Sequence, residues 1–143
     1  MKKLRFILPL FALCVLFLTG CKKEEIFKTF TQPYWHEEIN AEYTATMTAV
    51  VTLPQEIGTY IQEGDELAAF INGECRGVAK NIDGLNYIMI KGMPDENEMV
   101  TFKYYSARNM FMYQCVNCTA FENDGIYGTA DSPIVLPLVV INE

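Results

Sequence analysis

The chain has 143 residues, 50% hydrophobic, 20% charged and 13% aromatic, which suits one domain around a single core and leaves no room for two enzymatic domains. One His argues against a multi-histidine metal site. A net charge of -7 argues against a basic nucleic-acid binder, which needs clustered Lys and Arg to displace phosphate counterions.

Residues 1–21 read MKKLRFILPLFALCVLFLTGC, with a basic start (Lys2, Lys3, Arg5) and an apolar run over 6–18 that only Pro9 interrupts. That run is too short for a hydrocarbon layer about 30 Å thick, which takes roughly 20 helical residues. It reads as an export signal removed after translocation. Its loss takes three of the 11 basic side chains and no acid, so the remaining chain carries -10. The residues Leu18-Thr19-Gly20-Cys21 resemble the lipobox of bacterial lipoproteins. The resemblance implies that 1–20 is cut away and that the Cys21 thiol carries diacylglycerol on a three-chain lipid anchor. At about 0.8 kcal/mol per buried methylene, several acyl chains make attachment to a lipid membrane effectively permanent. Lys22-Lys23-Glu24-Glu25 is similar to the short charged signal behind the lipidated cysteine in surface-exposed lipoproteins of the Bacteroides group. That likeness implies an outer-membrane, surface-exposed lipoprotein, with a periplasm-facing tether as the alternative.

Residues 22–33 are polar and lack sustained periodicity, so 21–33 reads as lipidated N-terminus and tether, and 34–143 as one domain. Residues 42–53 (EYTATMTAVVTL) alternate, with Tyr43, Ala45, Met47, Ala49, Val51 and Leu53 on one face and mostly Thr on the other, the pattern of a half-buried strand. Residues 54–65 form a connection. Asn72-Gly73 between the runs 66–71 and 74–80 is the strongest short hairpin signal, because both central residues of a type I′ turn need positive φ. A two-residue loop then sets Ile71 opposite Glu74, Phe70 opposite Cys75, Ala69 opposite Arg76, Ala68 opposite Gly77 and Leu67 opposite Val78. The face bearing Phe70, Cys75 and Ala68 is expected to pack on the opposite sheet, with Cys75 an inert core thiol; a one-residue slip would exchange the faces.

Further along, 81–84 reads as a turn, 85–91 as a strand and 92–98 as an acidic loop. Residues 99–105 make a strand with Val100, Phe102 and Tyr104 on one side and Thr101, Lys103 and Tyr105 on the other. Residues 110–116 form another, 118–121 its candidate return and 122–132 a loop. The last strand runs over 133–140, where Pro137 marks an edge or bulge. About seven or eight strands without an amphipathic helix give an all-β fold, a two-sheet antiparallel β-sandwich of Ig-like or jelly-roll-like type. The stretch 64–79 (GDELAAFINGECRGVA) is similar to a motif of small β-rich modules in secreted and surface proteins of the Bacteroides group. The likeness covers 34–138; it implies fold and compartment and lends no catalytic residue.

With Cys14 lost and Cys21 acylated, Cys75, Cys115 and Cys118 remain. Cys115 and Cys118 have C-x-x-C spacing, but no second pair or nearby His completes a zinc site, and strand-like flanks do not fit the strand-to-helix setting of thioredoxin. Three readings stand: a local disulfide, free thiols or a bond to Cys75, and a catalytic redox pair. His36 has no nucleophile placed beside it and reads as solvated. Arg76 is either an anion contact or bonded to a neighbouring carboxylate or carbonyl. The segments 83–84 and 123–125 offer calcium-type oxygens without an EF-hand pattern. Tyr34, Trp35, Tyr104, Tyr105, Phe111, Tyr113 and Tyr127 could pack inside or stand outward to stack on sugars. Trp35, Arg76 and Tyr105 are the candidate ligand contacts, and no catalytic residue, metal or cofactor is expected. The sequence thus reads as a membrane-anchored surface lipoprotein whose non-catalytic module binds an extracellular glycan or protein. The alternatives are an assembly subunit of a cell-surface complex that accepts a strand at an open edge, and an enzyme, either a thiol oxidoreductase using Cys115/Cys118 or a small hydrolase.

Overall fold

A computed structural model describes residues 26–58 and 61–143, so the leader and Cys21 lie outside the described residues. Ten strands follow in chain order: β1 Ala45–Thr52, β2 Glu66–Ile71, β3 Glu74–Val78, β4 Lys80–Ile82, β5 Leu85–Gly92, β6 Met99–Ser106, β7 Phe111–Ala120, β8 Ile126–Tyr127, β9 Ile134–Val135 and β10 Val139–Val140. They make the expected β-sandwich of two five-stranded sheets. In the first sheet the order is β4-β5-β1-β8, with β9 also on β1; in the second it is β10-β7-β6-β2-β3.

The alternation over 42–53 places Ala45, Met47, Ala49, Val51 and Leu53 in the core, against Ile88 and Ile90 of β5 and Val100, Phe102 and Tyr104 of β6. The pairings are not all antiparallel, because β8 and β9 both run parallel to β1. The expected turn over 81–84 is shorter than the sequence suggested. Lys80–Ile82 pairs with β5, and only Asp83 (φ 52°) and Gly84 (φ 81°) turn. The final strand is split: Ile134–Val135 joins the first sheet and Val139–Val140 the second, with the crossing at Pro137, which has no N–H to offer a ladder.

The Asn72-Gly73 turn forms with φ of 50° and 80°, and Phe70 faces Cys75 as expected. A bulge at Arg76 then shifts the register, so Ala69 faces Gly77 and Ala68 faces Val78. The burial of the two faces is the reverse of the sequence reading. Leu67, Ala69 and Ile71 line the core. Ala68, Phe70 and Cys75 form a second cluster on the outer side of the sheet, under Trp35. β2 is buried on both faces, so its unbroken apolar run carries no alternation to orient it.

Residues 27–38 supply that second cover. Together with the first residues of the expected domain, the part of the expected tether from Phe27 to Pro33 lies across the outer face of the second sheet as a strap. Phe27 meets Phe111 at 5.4 Å, Phe30 N–H donates to Met110 O (2.8 Å), and Glu38 N–H donates to Cys75 O (2.9 Å) at the edge of β3. The carboxylate of Glu66 holds the middle, accepting from Gln32 Nε2, Tyr34 N and Trp35 N. Trp35 then meets Phe70 edge-on at 5.3 Å. Cys75 is 8% exposed beneath it, and burial pushes its thiol pKa up, so the native thiol reacts slowly. Trp35→Ala is expected to cost about 2 kcal/mol and to raise the modification rate of Cys75 by an order of magnitude or more. An unchanged rate with a disulfide reagent would show that the strap does not protect this cluster.

Candidate functional site

The bulge at Arg76 directs its side chain into the corner where β3 leaves the second sheet. Nη1 and Nη2 donate to the two oxygens of Glu96 (2.9 and 3.1 Å), Nη1 also to Lys91 O (3.2 Å) and Nε to Glu74 (3.3 Å). The Arg76 and Glu96 side chains are 4% and 2% exposed. The Tyr43 ring covers the guanidinium at 3.8 Å, and its hydroxyl donates to Glu74. Of the two expectations for Arg76, the carboxylate-bonded one describes its surroundings. Desolvation works to lower the Arg76 pKa, but the hydrogen bonds and charge of Glu96 outweigh it and the net shift is upward. The hydrogen bond between Tyr43 and Glu74 raises the Tyr43 pKa and lowers that of Glu74.

The rings are mostly covered. Tyr105 stands on the outer face, as the alternation over 99–105 required, yet it is 4% exposed because the strap crosses it, and its hydroxyl points to Phe30 O at 3.4 Å. It is therefore not the outward stacking surface foreseen for it. Tyr104 donates to Asp65 Oδ2 (2.6 Å) in the core, Tyr113 tilts against it, and Tyr127 stacks on Phe102 at 5.8 Å. Among the described residues the exposed ring is Tyr34. His36 is exposed, with Nδ1 3.4 Å from Tyr34 O. No group of three or more His, Cys, Asp or Glu able to hold a metal occurs among the described residues.

Burial pushes the Tyr104 pKa far above 10.0, reinforced by its bond to Asp65, while Tyr43 rises above 10.0 and Cys75 above 9.0. In each case the folded state holds a proton that the unfolded chain releases first. The stabilisation is complete below about pH 9 and declines as the pH rises through the native values. Urea midpoints between pH 8 and 11 are expected to fall steadily above pH 9; a flat profile to pH 11 would contradict this.

β7 continues where the sequence suggested a turn and return. Val100 faces Thr119 and Phe102 faces Cys115, so Thr101 opposes three residues, 116–118, in a wide bulge with Asn117 at φ 54°. Cys115 and Cys118 stand at disulfide distance across it, with Cα atoms 5.9 Å apart. A bridge over so short a loop contributes about 2 kcal/mol at most in the chain-entropy account. Cys115→Ala/Cys118→Ala is therefore expected to stay folded with a midpoint only slightly lowered, and outright unfolding would contradict that.

Between the strap and this bulge the outer face of the second sheet remains open. A groove of about 240 Å³ is lined by Phe70, Asn72, Thr101, Lys103, Gln114 and Val116 among others. Lys103 Nζ lies 5.1 Å from the Phe70 ring centroid. The ion pairs among the described residues engage Arg76 and Lys91, leaving the Lys103 ammonium without an acidic partner. Trp35 borders this region through Phe70, whereas Arg76 and Tyr105 are buried elsewhere. Sequence reasoning set Thr101 and Lys103 on the side of their strand opposite Val100, Phe102 and Tyr104 but did not single them out or say which side faces outward, and the period of two was the signal that could have done so. No family model, no curated protein and no solved structure matches the chain.

Proposed function

We propose that the protein is a membrane-anchored, non-catalytic binding module of a bacterial cell surface, and that it holds an extracellular glycan or protein in the groove beside Phe70 and Lys103. The observation that carries this reading is the Lys103 ammonium, without an acidic partner among the described residues, set over an aromatic ring with the amides of Asn72 and Gln114 and the hydroxyl of Thr101 around it. Ring, cation and neutral donors on one concave face are the parts from which orienting sites for polar ligands are built. The assembly-subunit reading is less well supported. β4 is only three residues long, the edge of β3 bonds to Glu38, and β7 beyond its pairing with β10 carries the bulge, all of which discourage strand addition.

Glycan arrays and pull-downs from native surface material, run with the wild type and with Lys103→Ala, test the proposal. Ligand capture that falls tenfold or more in the variant, at an unchanged urea midpoint, is expected. Absence of any ligand, or binding indifferent to the substitution, would refute it.

A further inference from the structure

The strap places the two ends of the sandwich in different positions relative to residue 21. Five Cα-to-Cα steps separate Cys21 from Ile26, at most about 18 Å of chain at roughly 3.6 Å per step. From Phe27 onward the chain is fixed to the domain: Phe27 packs on Phe111, Lys28 N–H donates to Asn142 Oδ1 (2.9 Å), and Phe30 N–H donates to Met110 O. The packed chain thus begins beside the 107–110 turn. The strap then runs the length of the second sheet to Cys75 at the opposite end, where the Asn72-Gly73 turn, the 93–98 loop and the groove lie. Thr101 in the groove is five residues along β6 from Ser106, about 17 Å at roughly 3.4 Å per residue.

We infer that the end of the sandwich formed by residues 26–28, the 107–110 turn and Asn142 rests on the lipid surface, so that the groove is held clear of the membrane and opens sideways from the second sheet. The inference depends on the anchor at Cys21 adopted above. At full stretch the tether only about equals the distance from Ser106 to Thr101, so the groove end reaches the bilayer only if the tether is drawn straight back along the domain or the strap peels from Phe111 and Met110. The chemistry of the two ends agrees. The near end exposes two apolar side chains, Ile26 (88%) and Met110 (49%), and its exposed charges balance, Lys28 and Arg108 against Glu63 and Glu143, with Lys28 Nζ donating to Glu143 O (2.9 Å). Apolar tips on an end of balanced charge are accepted at the boundary of an anionic bilayer. The far end exposes Glu38, Glu42, Asp95, Glu98, Glu122 and Asp124, which such a surface repels. The competing orientation is side-on, through the uncovered face of the first sheet, where Met89 (57%) and Ile126 (71%) stand exposed.

Three introduced cysteine labels, each on a Cys75→Ala background that keeps the Cys115/Cys118 pair, separate these arrangements: Met110→Cys, Asn72→Cys and Met89→Cys, each carrying a fluorophore. The natively acylated chain is placed on phosphatidylcholine/phosphatidylglycerol vesicles containing nitroxide-headgroup lipid. Quenching at position 110 at least threefold stronger than at 72 or 89 is expected. Equal quenching at all three, or strongest quenching at 89 or 72, would overturn the inference. A chain that fails to sediment with vesicles refutes the anchor instead; the same labels on protein coupled to vesicle lipid through its residue-21 amine then decide the orientation by themselves.

Discussion

Glu96→Ala is expected to destabilise the domain by about 3–5 kcal/mol, the cost of leaving a buried charge without its partner. Glu96 neutralises Arg76 through two hydrogen bonds, and the same carboxylate accepts from Met93 N (3.0 Å), so it also shapes the 93–98 loop. After the substitution Arg76 retains Lys91 O and the partly exposed Glu74, neither of which replaces a bidentate buried carboxylate. Arg76→Met together with Glu96→Leu is expected to recover much of the loss, since removing both charges removes the desolvation cost as well. Urea unfolding at pH 7 of the single and double variants measures this. A loss under 1 kcal/mol for Glu96→Ala would mean that water reaches the guanidinium and that the corner is not sealed.

Gly77→Ala is the second large effect expected, at about 3 kcal/mol. A Cβ at Gly77 would lie 2.3 Å from the carbonyl oxygen of Met89 and 2.9 Å from Ile88 Cγ2. The nearer neighbour is backbone of β5, which cannot turn aside as a flexible side chain can, so β3 must move at the place where the chain passes from one sheet to the other. Gly73→Ala is the informative contrast. Nothing lies within 4 Å of its added carbon, and only the positive φ of 80° opposes it, at a cost of about 1 kcal/mol. Equal midpoints for the two variants would show that the β3–β5 approach is looser than its geometry indicates.

The legible parts of this fold are those in which one face of a strand meets the core and the other meets water. β1 and β6 alternate for that reason, and Asn72-Gly73 marks its turn because few other pairs accept positive φ at both positions. β2 was misoriented because Trp35, 35 residues before Phe70, covers its second face, and no local pattern announces a cover supplied from a distant segment. The first part of the strap, up to residue 33, was read as tether because Glu66 and backbone groups, rather than a periodic apolar stripe, hold it in place. Both bulges insert residues that no simple register count anticipates, and the two-residue strands β8, β9 and β10 are too short to show a period. The groove was only half legible. Alternation set Lys103 opposite Val100, Phe102 and Tyr104, but Gln114 and Val116 join it only through the register of β7 against β6. Arg76 invited a ligand reading because its carboxylate partner lies 20 residues away, beyond a change of sheet.

The account rests on attachment through Cys21, and intact-mass measurement of the natural polypeptide extracted from membranes tests that most directly. The expected result is a chain that begins at Cys21 and carries the added mass of a diacylglycerol thioether and an N-terminal acyl group. A chain that keeps residues 1–20, or one with an unmodified thiol at position 21, would contradict it.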